Sequence, residues 1–433
     1  STRKDVSLAI NDVAAASTPD LSASSDSGIS NSDNITSDKT PTFTGTASAN
    51  DTVAVSSGGT SLGSTVADGS GAWSFTVSNS SPLDDGSHAI SVTTTSSGGS
   101  PVTSDPSAAL NLTVDTATTT PSRPDLATSS DTGSSNSDNL TSDKTPTFTG
   151  TAEAGSTVEL FAGTSSLGTT TADNSGNWSF TVESSDALSD ASYAITAKAT
   201  DVAGNVSSVS ASLSITVDAT APSPPSTPDL AASSDTGISN TDNNTSDTTP
   251  TFTGTAEANS TVELFAGSSS LGTTQADSSG DWSFTAGSAL AAGTYSVTAK
   301  AFDAAGNADA ASSNMSITID TSAPAAPSVP DLVAESDTGT SNSDNLTSDT
   351  TPTFTGTAEV DSDVYLFAGE KSLGVTATDS SGNWSLTVDS SDALTNGSHA
   401  ITAKAVDEAG NVSNAPSSLT ISIDTAAPSA PST

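Results

Sequence analysis

The 433-residue sequence has no cysteine, two histidines, one methionine, 4% aromatic residues and only 9 lysines and arginines against 50 aspartates and glutamates. Each shortage excludes a chemistry. Without cysteine there are no disulfides and no thiolate nucleophile, and His88 and His399 are too little material for a zinc site or a His-based triad. A formal net charge of −41 repels nucleic acid, because phosphate binding draws on clustered lysine and arginine. The partner such a surface attracts is a cation. No apolar run approaches the roughly 18–20 residues of a membrane span, so no direct membrane insertion is expected, and any signal for export or anchoring is expected elsewhere.

Apolar residues make up 32% of the chain, below the ~45–50% of ordinary globular domains, and acidity with few aromatics is also a mark of disorder. Internal repetition argues the other way. The string TPTFTGTA recurs with its aromatic at Phe43, Phe148, Phe252 and Phe354, in steps of 105, 104 and 102 residues. Trp73, Trp178, Trp282 and Trp384 keep the same steps, as do Pro-Asp-Leu triplets at Pro19, Pro124, Pro228 and Pro330. Low-complexity drift would not hold a tryptophan in register, so each repeat reads as a small folded domain. The expected division is a lead-in over 1–18, repeats over 19–121, 122–225 and 226–327, and a fourth over 328–433 that runs into a further linker. The lead-in fits the repeat poorly and reads as the tail of a preceding domain, and the chain as a piece of a longer array.

Within repeat 2 the pattern has period two. Val158, Leu160 and Ala162 share one face of a segment, and Trp178, Phe180 and Val182 alternate with Ser179 and Thr181. The stretches 193–199 and 213–217 alternate in the same way, turn signals are frequent, and helical periodicity is absent. The expected fold is all-β: four tandem immunoglobulin-like β-sandwich domains in an extended rod, each with six or seven short antiparallel strands around the Trp and Phe. Those aromatics are read as core rather than as sugar platforms. Tyr193 and Tyr295 stand where His88 and His399 stand in the other repeats, which argues against a titrating role for either histidine.

After each Pro-Asp-Leu comes a segment dense in Asp and Asn. It holds Asp26, Asn31, Asp33, Asn34 and Asp38 in repeat 1, and Asp131, Asn136, Asp138, Asn139 and Asp143 in repeat 2. The counterparts are Asp235, Asn240, Asp242, Asn243 and Asp247 in repeat 3, and Asp337, Asn342, Asp344, Asn345 and Asp349 in repeat 4. Hard oxygen donors on a Gly-containing loop suit Ca²⁺, which takes about six to eight oxygens in flexible geometry. The spacing is not that of an EF-hand. Asx turns explain part of such a loop, but not the accumulation of carboxylates without basic partners.

A second acidic set lies later in each repeat. The motif DxAGN supplies Asp201 and Asn205, Asp303 and Asn307, and Asp407 and Asn411, and the last strands end at Asp115, Asp218, Asp320 and Asp424. The expectation is that each DxAGN loop and terminal Asp meet the next repeat's Asp/Asn loop across a Pro-rich linker, where a bridging cation would remove hinge freedom. Repeat 1 has no DxAGN, so the first junction is expected to keep Asp115 and the Asp131 loop but to bind fewer or weaker ions.

Together TPTFTGTA, TVELFAG, SLGTT, ADxxGxWSFT, ITAKATDxAGNxS and the closing ITVD resemble the bacterial Ig-like repeats of giant cell-surface adhesins, including RTX-type biofilm adhesins, over nearly the whole chain from about residue 19. The resemblance implies β-sandwiches forming an extracellular stalk on a bacterial surface, calcium that rigidifies their junctions, and ligand-binding domains elsewhere near the distal end. It also implies that the DxAGN pair, the strand-end Asp and the Asp/Asn loop hold the calcium.

Three functions are weighed. The first is a calcium-stiffened stalk whose partners are its own neighbouring repeats; sandwiches of roughly 40 Å would give four repeats a span on the order of 160 Å. The second is a set of glycan- or protein-binding modules, for which Phe161 and Phe265 are the outward-facing aromatics by alternation. The third is a glycosidase with paired carboxylates. It is the weakest, because the acidic sets recur in every domain, and the chain is read as a non-enzyme. The Asn-x-Ser/Thr triplets, Asn139-Leu140-Thr141 among them, are expected by chance in so Ser/Thr-rich a chain.

Overall fold

The computed structural model describes residues 13–429; residues 1–12 of the lead-in, and with them the expectation of a preceding domain's tail, lie outside it. The core strands form where short Thr-rich segments turn alternate side chains to a buried face, as in Thr157–Ala162 and Ala191–Thr200. Among the described residues the helical pieces are two three-residue turns, Ser184–Asp186 and Ser390–Asp392. The chain divides into two compact units: Ser1–Thr220 with repeats 1 and 2, and Ala221–Thr433 with repeats 3 and 4.

Repeat 1 carries β1 (Asp20–Leu21), β2 (Ile35–Thr36), β3 (Thr42–Thr46), β4 (Thr52–Ser57), β5 (Thr60–Val66), β6 (Ala72–Thr76), β7 (Gly86–Thr95) and β8 (Leu110–Val114). A three-stranded sheet in the order β1-β3-β6 packs on a five-stranded sheet in the order β2-β8-β7-β4-β5, and the other three repeats have the same order. Eight strands replace the expected six or seven because β1 and β2 are two residues long, too short to show alternation. The all-β, four-sandwich expectation is met in every repeat.

The core of each sandwich is built by the inward faces. In repeat 2, Phe148, Val158, Leu160, Ile195, Ala197, Leu213 and Val217 are buried with Trp178 between the sheets. Gly150 pairs across the strand from Trp178, and a Cβ there would lie 2.4 Å from the indole, so the ring needs glycine opposite it. The Tyr/His position is structural in all four repeats. His88 Nε2 and His399 Nε2 bond to the carbonyl oxygens of Asp84 and Thr395 at 2.8 and 2.7 Å, and Tyr193 Oη and Tyr295 Oη donate to those of Ser189 and Ala291 at 2.9 Å.

Strand direction sets which acidic residues share a pole. β7 runs antiparallel to β8, with Gly86 beside Val114 and Thr95 at the far end beside Thr52. β2 runs parallel to β8, so Thr36 lies beside Val114. The pole where the chain leaves a repeat therefore holds the Asp/Asn loop and the terminal Asp. The pole where it enters holds the end of β7 and the turn before β4. Ser17 belongs to the entry pole: its N–H donates to Thr46 O and its Oγ accepts from Thr46 N, and Ala16 is in the core.

Candidate metal centre

In the first unit, the exit pole of repeat 1 meets the entry pole of repeat 2. Asp115, just past β8, brings a carboxylate oxygen within 4.8 Å of those of Glu153 and Asp201 from repeat 2. Asp201 follows the strand Ala191–Thr200 and is buried, while the other two are half-buried. Asn205 organises the group. Its backbone N–H donates to Asp201 Oδ1, and its Nδ2 donates to Asp201 Oδ2 and to the main-chain oxygen of Asp115, each at 2.8 Å. Glu153 Oε2 accepts from Thr118 Oγ1 at 3.1 Å, in the linker.

The loops on either side touch directly. Ile29 N donates to Val202 O at 3.2 Å and Ser27 Oγ donates to Ala203 O at 3.0 Å. Gly28 (φ +111°) and Gly204 (φ +91°) pack backbone to backbone; a Cβ on Gly28 would lie 2.1 Å from Val202 O. Such approach is open only to glycine, which also takes the positive φ without strain.

The second unit repeats the arrangement between repeats 3 and 4. Asn411 Nδ2 donates to Asp320 O at 2.8 Å and to Asp407 Oδ2 at 2.9 Å. Asp320, Glu359, Asp361, Asp407 and Glu408 line a cavity of 250 Å³. Gly237 and Gly410 repeat the close approach, and Thr236 Oγ1 donates to Ala409 O at 2.7 Å. Asp218 lies at the exit pole of repeat 2, its N–H bonded to Thr141 O, and Asp303 at the entry pole of repeat 3. Asp424 lies at the exit pole of repeat 4, bonded to Thr347 O.

These contacts correct the expected pairing. The DxAGN loop sits at the pole opposite its own repeat's terminal Asp, so within each unit the junction joins the Asp/Asn loop and terminal Asp of the first repeat to the DxAGN loop of the second. The first junction therefore includes Asp201 and Asn205, and the Asp131 loop is at the other end of repeat 2. What repeat 1 lacks, it lacks at its entry pole, where Ser48 also stands in place of Glu153. Glu153 and Glu359 were not among the sequence candidates. The signal was the glutamate in the TAE that closes the TPTFTGTA landmark in repeats 2 to 4.

Within each Asp/Asn loop the residues do different work. Asp38, Asp143, Asp247 and Asp349 are turn-formers: Oδ1 accepts from the N–H two residues on and Oδ2 from the hydroxyl of Ser25, Ser130, Ser234 or Ser336. Asp33, Asp138, Asp242 and Asp344 likewise accept from the N–H two residues on. Asn34, Asn139, Asn243 and Asn345 take positive φ. Asn31, Asn136, Asn240 and Asn342 lie at the tip; Asn240 lines a cavity in repeat 3.

Asp26, Asp131, Asp235 and Asp337 differ from their neighbours. Each is buried, and its Oδ2 accepts from the backbone N–H of Asn34, Asn139, Asn243 or Asn345 at 3.1–3.3 Å. Each Oδ1 is buried with no hydrogen-bond partner. Burial pushes the carboxyl groups of Asp26, Asp131 and Asp235 above the ordinary aspartate range, and the neighbouring aspartates add to the shift. Three ion pairs occur among the described residues, Lys39–Asp85, Lys144–Asp190 and Lys371–Asp392, and none reaches these clusters.

Clustered carboxylates with amide and backbone oxygens, and no His or Cys, fit calcium better than zinc or copper. Phe161 and Phe265, expected to face outward, are half-buried where a β-bulge shifts the register after Leu160 and Leu264.

Four consecutive stretches, 13–116, 118–219, 221–321 and 323–425, match the bacterial Ig-like domain family. No curated protein matches the chain. Among solved structures the chain is similar to a Ca²⁺-stabilised adhesin that helps an Antarctic bacterium reach out and bind ice, at 25% identity over 95% of this chain and 100% of that one, with a TM-score of 0.34. It is also similar to a tetra-tandem repeat in the extending region of a large adhesion protein, at 23% identity over 95% and 100% of the two chains, with a TM-score of 0.31.

Proposed function

The chain belongs to the bacterial Ig-like domain family, and from that membership we propose that it is an extender segment of a bacterial cell-surface adhesin, stiffened by calcium at its inter-repeat junctions. The observation that carries this reading is the convergence of Asp115, Glu153 and Asp201, from two successive repeats, without a basic partner. Three carboxylates within 4.8 Å repel one another, which drives the repeats apart unless a cation lies between them. With a cation bound, the same oxygens become ligands and the two sandwiches move as one body.

Asp115, Glu153 and Asp201, and Asp320, Glu359 and Asp407 in the second unit, are the proposed ligands. Asn205 and Asn411 orient them. Such a segment carries adhesive domains away from an extracellular surface and does no chemistry itself, and the adhesive ligand is met by another region. No helix among the described residues is long and apolar enough to cross a membrane.

Small-angle scattering of the 433-residue chain in calcium and in EDTA tests the reading. Chelation is expected to shorten the maximum dimension and broaden the pair-distance distribution. An unchanged distribution would sink the proposal.

A further inference from the structure

The outer face of the five-stranded sheet changes character in repeat 4. In repeat 2 this face carries Glu159, with Thr169 opposite it on one side and Lys198 on the other, and in repeat 3 Glu263 stands between Thr273 and Lys300. A serine hydroxyl holds each glutamate, Ser166 at 2.7 Å and Ser270 at 2.6 Å. In repeat 4 Tyr365 takes the glutamate's place, between Val375 and Lys404. Tyr365 is 37% exposed and Val375 50%. Two residues back on the same strand, and so on the same face, Asp363 stands between Ala377 and Val406, where repeats 1 to 3 have Thr52, Thr157 and Thr261. The core does not require these changes, because the positions face solvent and repeats 2 and 3 build the same sheet with Glu and Thr there. Lys404 is in none of the ion pairs among the described residues. A cross-strand pair of an aromatic and a β-branched residue does stabilise a sheet, but it does not explain why an aspartate joins the face at the same point.

Size and charge limit what can cover this patch. Strands lie ~4.8 Å apart and same-face residues ~7 Å apart along a strand, so two rows over three strands cover on the order of 200 Å². A stable protein partner needs roughly 800 Å² on each side, and a second copy would bring a formal charge of −41 against its like. The same charge repels anionic polymers. A short neutral glycan meets both limits. We propose that Tyr365, Val375, Asp363 and Lys404 form a binding site for a neutral glycan on the side of repeat 4. The C–H face of a pyranose packs on the Tyr365 ring and the Val375 methyls, while the Asp363 carboxylate accepts from sugar hydroxyls and Lys404 Nζ donates to them. The site lies within one repeat and does not use the junctions. A stalk can therefore carry it as a weak lateral contact while its adhesive region lies elsewhere.

The test uses the complete chain with cellotetraose, maltotetraose and mannotetraose at millimolar concentration, read by saturation-transfer NMR. At least one of the three is expected to receive saturation at its ring C–H protons. Tyr365→Glu with Val375→Thr restores the residues of repeats 2 and 3, so the sandwich is expected to fold, and the signal should fall about tenfold or more. Lys404→Ala gives an independent variant at an exposed position and should also weaken it. No saturation from any of the three sugars overturns the proposal, as does an equal signal from the double variant, which would place binding elsewhere. Sedimentation of the parent as a dimer and of the double variant as a monomer would assign the face to a second copy and overturn the glycan. A lower urea midpoint in the double variant with no sugar signal in the parent would leave Tyr365 and Val375 a purely structural pair. Scattering of the double variant in calcium and in EDTA should match that of the parent, which separates failure of this site from failure of the stalk reading.

Discussion

Asn205 Nδ2 donates to the main-chain oxygen of Asp115, 2.8 Å away and 90 residues earlier in the chain. The same amide holds Asp201, so one side chain joins two repeats and aims a carboxylate at the gap between them. The equivalent pair, Asn411 and Asp320, is 91 residues apart in the second unit.

Asn205→Ala should remove both side-chain bonds and leave Asp201 less firmly aimed. A loss of about 1–2 kcal/mol in calcium is expected from two partly buried hydrogen bonds, one to a charged group. Thermal melts of a two-repeat protein covering 13–220, with and without calcium, would read it. The loss should shrink in EDTA, where the junction contributes little.

Gly28→Ala places a Cβ where Val202 O already lies, and Gly28 has φ +111°. The residue itself sits on an exposed loop, so each sandwich should fold as before. The junction loops must separate, and scattering in calcium should resemble that of the parent in EDTA. Retention of the parent's profile would show that the glycine contact does not limit the approach.

His88→Tyr should be tolerated to within about 1 kcal/mol, because the tyrosine hydroxyl in repeats 2 and 3 makes the same kind of bond to the carbonyl four residues back. His88→Ala should cost more, since it leaves that carbonyl to water and empties a packing position. Urea melts of the two variants would separate these outcomes.

Asp173 sits in the turn before the Trp strand. Its Oδ1 accepts from Asn177 N and Ser175 N at 2.9 and 2.8 Å, bonds that hold the carboxyl below its ordinary value of 3.8. Asp379 is lowered by the same kind of bonds in repeat 4. With the folded value below the unfolded one, their contribution is full above pH 3.8 and is lost as the pH falls through the folded value. These two groups should therefore lower the melting temperature in EDTA as the pH falls through their folded values, a change that a wild-type and variant comparison isolates. Asp173→Asn with Asp379→Asn should make that drop shallower, and an identical slope would contradict the assignment.

Much of this was legible in the residues themselves. The phase of Phe43, Trp73 and their counterparts determined four sandwiches, because a buried aromatic tolerates no slippage. The alternation of Val158 and Leu160 with polar neighbours determined which faces are buried, because strand side chains alternate with period two. The excess of Asp over Lys and Arg determined that a cation is the expected partner. Tertiary structure alone decided which carboxylates meet. The antiparallel course of β7 against β8 sends the DxAGN loop to the pole away from its own terminal Asp, and spacing along the chain carries no record of strand direction. Only packing could show that Glu153 completes a group with Asp115 and Asp201, or that Asp235 Oδ1 is buried without a partner. Both are relations in space between residues whose local sequence reads as ordinary turn.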